Sequence, residues 1–121
     1  MKYIKLFEEF TNEKVNLDKV EDYADKVLAP LDVEFTKHFF DQLTRKEHTK
    51  EITDSELIGF FKRIAKRKKQ FASFLQKWDE IVVKDPRSKL NIPFKTRAEQ
   101  LIAKTIMRKD DFKTSNPEYK I

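Results

Sequence analysis

The side chains able to move a proton or carry a phosphate charge are few in this 121-residue chain, which has two histidines and no cysteine. His38 stands beside Phe39, about one turn before Gln42 and Arg45 on a helical reading. An imidazole with a basic neighbour can deprotonate a 2′-hydroxyl near neutral pH, which is the first step of metal-independent RNA cleavage. Lys104 and Arg108, four residues apart, are the partners expected to stabilise the extra charge on a pentacoordinate phosphorus. A second reading of His38 is structural, a ring bonded to backbone at a helix–sheet boundary. His48, in a charged stretch, is expected to be solvated.

Other chemistries are excluded by composition. Without cysteine, and without two histidines at helical spacing, no metal site is expected. The single glycine, Gly59, removes nucleotide-binding loops, which need several glycines for the backbone to approach phosphate. Gly59 falls inside a helical pattern, where close helix packing is the commonest reason for a glycine. No serine sits in a nucleophile-elbow pattern, and no cofactor is expected.

The overall charge of +5 is unevenly divided. Residues 1–60 hold 9 basic and 14 acidic side chains, whereas residues 61–121 hold 17 basic and 7 acidic ones. A basic half of this kind suits contact with a polyanion, and nucleic acid is the partner expected. The candidate contacts are Lys62, Arg63, Lys66 and Arg67 in the densest run, then Arg87, Lys95, Arg97 and Lys109. Lys104, Ile106 and Arg108 fall on one face of a strand pattern, and with Arg87, Lys89, Lys95 and Arg97 they would make a cationic sheet surface. The competing reading is a solvated lysine-rich surface partly neutralised by the acidic half.

Several elements are needed to position these residues. Ile4, Phe7 and Phe10 mark a short amphipathic helix over 1–12, and Val20, Tyr23, Val27 and Leu28 mark another that starts at Asn16 or Asp18 and stops at Pro30. A third is expected from Asp32 or Glu34, with Phe35, Phe39, Phe40 and Leu43 as its apolar residues and a polar loop over 45–50 after it. Thr53 and Glu56 form a capping box. Behind it, Leu57, Phe60, Phe61, Ile64, Phe71, Phe74, Leu75 and Trp78 predict one long helix over 54–78 with a bend, the alternative being two helices bent near Lys68. Three strands follow, at 81–83, 90–95 and 100–108, with turns at 85–88 and 97–99. Pro93 is expected at an edge or a bulge. Residues 110–121 read as a polar tail. The fold class expected is α+β, with N-terminal helices followed by a three-stranded or slightly larger antiparallel meander packed on helices. Residues 1–30 form a helical leader or appendage, and 31–121 a small basic domain. No stretch is long and apolar enough to cross a membrane, and residues 1–10 carry too many charges for a signal peptide.

Two resemblances extend this reading. The opening Met1-Lys2-Tyr3-Ile4-Lys5-Leu6-Phe7-Glu8-Glu9-Phe10 resembles the amphipathic leaders of internal head proteins in T-even-like tailed phages. Leu6-Phe7-Glu8 is loosely similar to the site at which their maturation protease cuts. From Asp32 onward the chain looks like small proteins of T-even-like and marine phages, on Phe35-Thr36-Lys37-His38-Phe39, Leu90-Asn91-Ile92-Pro93-Phe94 and Ala103-Lys104-Thr105-Ile106-Met107-Arg108-Lys109. The order of elements is similar to that of the barnase/RelE-like ribonuclease and toxin superfamily. That likeness implies an endoribonuclease in which His38, Lys104, Thr105 and Arg108 are the residues to test, and Tyr119 matches the RelE C-terminal tyrosine weakly. The leader implies instead a virion or prohead protein whose residues 1–12 bind the capsid shell while the basic half neutralises packaged DNA. A small antagonist of a host protein is the third reading. These place the protein in the host cytoplasm or packaged in the particle.

Overall fold

A computed structural model describes residues 16–43, 52–110 and 112–121. The leader over 1–12, the loop over 45–50 and His48 lie outside the described residues.

The first described helix, α1 (Leu17–Val27), starts where Asn16 accepts a hydrogen bond from the amide of Lys19 at 3.0 Å. An N-cap of this kind satisfies one of the amides that a helix leaves unpaired at its start. Leu17, Val20 and Ala24 are buried on its inner face, so this segment shares one core with the strands and helices that follow. Asp32–Phe35, expected to open a helix, is instead a strand, β1. Val33 and Phe35 point inward in strict alternation, and Asp25 of α1 accepts the Val33 amide at 2.7 Å. The helix begins only at Lys37, as α2 (Lys37–Leu43), where the Thr36 hydroxyl accepts the amide of Phe39 at 3.0 Å.

Helix α3 (Asp54–Lys66) carries both bonds of the capping box. The Thr53 hydroxyl accepts the Glu56 amide at 3.1 Å, and Glu56 Oε1 accepts the Thr53 amide at 3.3 Å. The helix stops at Arg67, whose φ of −124° and ψ of 45° are not helical, and α4 (Lys68–Lys77) follows, so 54–78 is the two-helix alternative and not the single bent helix. The apolar stripe explains the break. Position 68, next in phase after Leu57, Phe61 and Ile64, is a lysine, and a straight helix would drive its ammonium into the core. With the break, residues 66–70 are all exposed and Phe71 is buried. Trp78, just past α4, is 46% exposed and is not part of the core stripe.

The sheet has six strands and is mixed, not a three-stranded antiparallel meander. Its order is β1–β4–β3–β2–β6, from β2 (Glu80–Asp85), β3 (Leu90–Arg97), β4 (Gln100–Ala103) and β6 (Glu118–Lys120), with β5 (Met107–Arg108) also paired to β3. Antiparallel pairs β2–β3 and β3–β4 occupy the centre, and parallel strands flank them: β1 on β4 and β6 on β2. The expected polar tail therefore ends in a strand.

Pro93 lies in β3, an interior strand. The bulge expected of it is in the neighbour, because β4 ends at Ala103 and β5 starts at Met107. The Pro93 carbonyl accepts the Lys104 amide at 2.9 Å, so its missing N–H faces the segment where the ladder breaks. With pairing interrupted there, Ile106 turns into the core instead of sharing a cationic face with Lys104 and Arg108.

Phe61 of α3 is the hub of the core. Its ring lies 6.0 Å from Phe35, 5.7 Å from Phe60 and 6.3 Å from Phe94, edge to face in each case. Tyr119 of β6 packs on Phe71 and Phe74 of α4, each at 5.1 Å. Its hydroxyl oxygen is buried without a hydrogen-bond partner among the described residues. Burial pushes the phenol above the usual tyrosine value, against the opposing influence of Arg67.

Tyr119→Phe removes the unpaired hydroxyl and keeps both ring contacts. It should therefore leave thermal stability unchanged or raise it by up to about 1 kcal/mol. Tyr119→Ala should lower stability by about 2–3 kcal/mol through lost packing. Because folding raises the phenol's pKa, the native chain should lose stability as pH climbs past the usual tyrosine value. Melting curves at alkaline pH should show Tyr119→Phe lacking that part of the decline.

Candidate anion-binding cleft

The turn between β2 and β3 is built around a buried acid. Asp85 ends β2 with its side chain fully buried. Its Oδ1 accepts the Arg87 amide at 3.1 Å, the local bond by which an aspartate shapes a turn two residues on. Its Oδ2 accepts the Ser88 hydroxyl at 2.8 Å and the Arg63 guanidinium of α3. Lys89, in the left-handed region at φ 65°, closes the turn with its amide on the Asp85 carbonyl at 2.8 Å. A buried carboxylate is tolerated only when its lone pairs are occupied and a cation faces it, and both conditions are met.

A second tie joins the same turn to the start of α3. Arg108 of β5 has a side chain only 7% exposed, and its Nη2 donates to Glu56 Oε1 at 2.6 Å while Nη1 donates to the Ser88 carbonyl at 2.7 Å. Glu56 thus serves the capping box and Arg108 through one oxygen. The buried side-chain amide of Asn91 holds β5 against the turn, donating to the carbonyls of Lys89, Met107 and Lys109 at 3.0–3.3 Å.

Between α3 and this turn lies a cleft of about 510 Å³ lined by Ser55, Glu56, Gly59, Arg63, Arg87, Ser88, Lys89 and Arg108. Ser55, Gly59 and Arg63 recur every fourth residue, so one stripe of α3 forms a wall. Four of the eight lining residues are cationic and one is anionic. Arg87 makes no ion pair among the described residues, whereas Lys89 meets Asp110 at 3.2 Å with both side chains more than half exposed. A smaller cavity of about 220 Å³ is lined by Asp85, Pro86 and Lys89 of the same turn and in part by Lys84, Lys109 and Lys120.

The residues singled out in the sequence separate into groups. Arg63, Arg87 and Arg108 line the cleft together, and Lys109 lines the smaller cavity. Lys62, Lys66 and Arg67 are exposed around the end of α3, and Lys95 and Arg97 are exposed on β3. His38, the second residue of α2, is exposed, and neither it nor Lys104 lines the cleft that holds Arg108. Lys104 bonds Glu80 of β2 at 2.9 Å. That hydrogen bond and the charge of Lys104 hold the Glu80 carboxyl below its usual value. Two of the sheet's lysines are therefore matched by carboxylates, since Lys84 also meets Glu118 at 3.3 Å, while Lys95 and Arg97 make no ion pair among the described residues.

The sequence reading passed over Glu56 as a site residue, and also Gly59, Asp85, Ser88 and Asn91. A usable signal was present in Asp85-Pro86-Arg87-Ser88, where an aspartate opening a turn directs its carboxylate at the amides that follow. The four-residue step from Gly59 to Arg63 was another. The chain matches no protein-family model, no curated protein and no solved structure, so the α+β class rests on its own architecture.

Arg63→Ala should cost about 3 kcal/mol, because it strands the buried Asp85 carboxylate. Arg87→Ala, whose amide bond to Asp85 survives the change, should stay within about 0.5 kcal/mol of the native chain. Urea melts of the two variants measure the contrast, and equal effects would show that Arg63 is not the counter-ion of Asp85.

Proposed function

We propose that the protein binds the phosphate groups of a nucleic acid in the cleft between α3 and the β2–β3 turn. The observation that carries this reading is the gathering of Arg63, Arg87, Lys89 and Arg108 around one concavity, from a helix, a turn and a strand. Guanidinium groups offer planar, paired donors that match phosphate oxygens. Ion pairs to Asp85 and Glu56 hold two of them in place in advance, which reduces the ordering cost of binding.

The lining also bears on selectivity. It contains no aromatic ring on which a base could stack. Recognition through this cleft is therefore of phosphate and sugar, with little dependence on sequence. The exposed Lys62, Lys66 and Arg67 extend the positive field beside the cleft and favour encounter with a polyanion.

An endoribonuclease reading draws on the same cleft. Arg63, Arg87 and Arg108 would stabilise charge on phosphorus, and Glu56 is the carboxylate in reach to accept a proton.

Fluorescence anisotropy with labelled RNA and DNA oligonucleotides tests the binding reading. The logarithm of affinity should fall with the logarithm of salt concentration by about 0.7 per phosphate contacted on a single strand. Arg87→Ala should weaken binding to all sequences alike and reduce that slope by about one contact's worth. No salt-sensitive binding would overturn the proposal. RNA cleavage that disappears in Glu56→Gln and Arg108→Ala would add catalysis to it, and intact RNA would leave binding alone.

A further inference from the structure

The cleft is crossed by two side-chain ties. Near its start Arg108 links Glu56 of α3 to Ser88 of the turn, and further along Arg63 links α3 to Asp85. Gly59 lies between them on the helix wall. Both ties lie low in the cleft, since the Arg108 side chain is 7% exposed and the Asp85 carboxylate has no exposure. A chain terminus can reach a seat against Gly59 with a single connection to the remainder of the ligand.

Gly59 itself supports a seat at this place. Glycine inside a helix costs about 1 kcal/mol relative to alanine. Packing does not require it here, because an added Cβ would stand 3.4 Å from Nη1 of Arg63, an ordinary contact, with no backbone in the way. The atom would instead occupy the space beside the Nη edge of the guanidinium, 3.4 Å from Nη1 and 3.9 Å from Nη2. The single glycine of the chain thus lowers helix propensity and leaves room beside an arginine.

From these two observations we infer that the cleft takes a terminal phosphomonoester, the phosphorylated end of a nucleic-acid strand or a nucleoside monophosphate, seated over Gly59 between Arg63, Arg87 and Arg108. The inference rests on the phosphate-binding reading of this cleft and narrows it. A monoester carries three free oxygens and a charge between −1.5 and −2 at neutral pH, as phosphorylated side chains do. A phosphodiester within a strand has two free oxygens and one charge. Guanidinium groups arriving from α3, the turn and β5 approach a phosphate from different directions, which suits the group with three free oxygens. The cleft volume of about 510 Å³ leaves space for the attached sugar beside the phosphate.

The test compares oligonucleotides of one sequence bearing a 5′-phosphate, a 3′-phosphate or hydroxyl groups at both ends. One phosphorylated end should bind at least about tenfold more tightly than the hydroxyl-ended strand. A nucleoside monophosphate carrying the preferred phosphate should compete for the same site, and competition by inorganic phosphate alone at equal strength would place all recognition in the phosphate group. Arg87→Ala should abolish the preference. Gly59→Ala should abolish or sharply reduce it while melting at the same temperature as the native chain or higher. Equal binding of all three strands would overturn the inference and leave backbone binding standing, whereas failure of every strand to bind would remove the phosphate-binding reading itself. A preference that survives Gly59→Ala undiminished would show that the phosphate is not seated over Gly59.

Discussion

Asp85 is the constraint on which the arrangement depends. Its carboxylate has no solvent exposure, and a carboxylate left unpaired in such a place costs several kcal/mol. The cost is offset by the Ser88 hydroxyl and Arg87 amide from its own turn and by the Arg63 guanidinium of α3. The first two bonds fix the turn, and the third fixes where α3 lies over the sheet. The same helix presses Phe61 against Phe94 and Phe35, so a polar tie at one end and an aromatic cluster in the middle specify one docking of α3. Hydrophobic contact alone would tolerate sliding along the sheet, whereas the ion pair sets the register.

That docking makes the cleft as a by-product of closing the core. Once α3 is held at Arg63, its start comes within reach of β5, and Glu56 meets Arg108. Glu56 is already committed to the Thr53 amide by helix capping, so the arginine finds a carboxylate whose position is set locally. The cationic wall is assembled from groups that each have a structural task. Only Arg87 is without an ion pair among the described residues, which makes it the lining arginine with the least to lose by turning toward a ligand.

How much of this was legible in the sequence varies with the range of the interactions. The capping box at Thr53 and Glu56, the Asn16 cap and the strand character of 81–83 and 90–95 come from neighbours within a few residues, and they are present in the structure. Asp32–Phe35 became a strand because it pairs with Gln100–Ala103 far along the chain, and no local pattern distinguishes that outcome from the start of a helix. The last strand has the same origin, since Glu118–Lys120 is ordered by β2 and by Tyr119 resting on α4. Lys68 is the instructive middle case. Its charge in an otherwise apolar phase was visible, and it divides the predicted long helix. For the cleft, Arg63, Arg87 and Arg108 stood in the sequence as members of separate basic groups. What joins them is Asp85 and Glu56, acids whose partners are 22 and 52 residues away.

The charge asymmetry along the chain acquires a physical meaning from this pairing. A basic half would make a broad cationic surface only if its cations were unopposed. On the sheet two of them are opposed, Lys104 by Glu80 and Lys84 by Glu118, which cancels the local field around those two lysines. Around the cleft the pairing has another effect. Arg63 and Arg108 are held by carboxylates at the edge of a cavity, so their charge is matched while their planes stay fixed. An incoming phosphate would meet ordered donors there rather than flexible side chains that must first be immobilised. The exposed residues 66–70 after the helix break supply the unmatched positive charge nearby. On that proposal, long-range attraction and short-range recognition would fall to different residues, with the first screened by salt over about 8–10 Å and the second much less so.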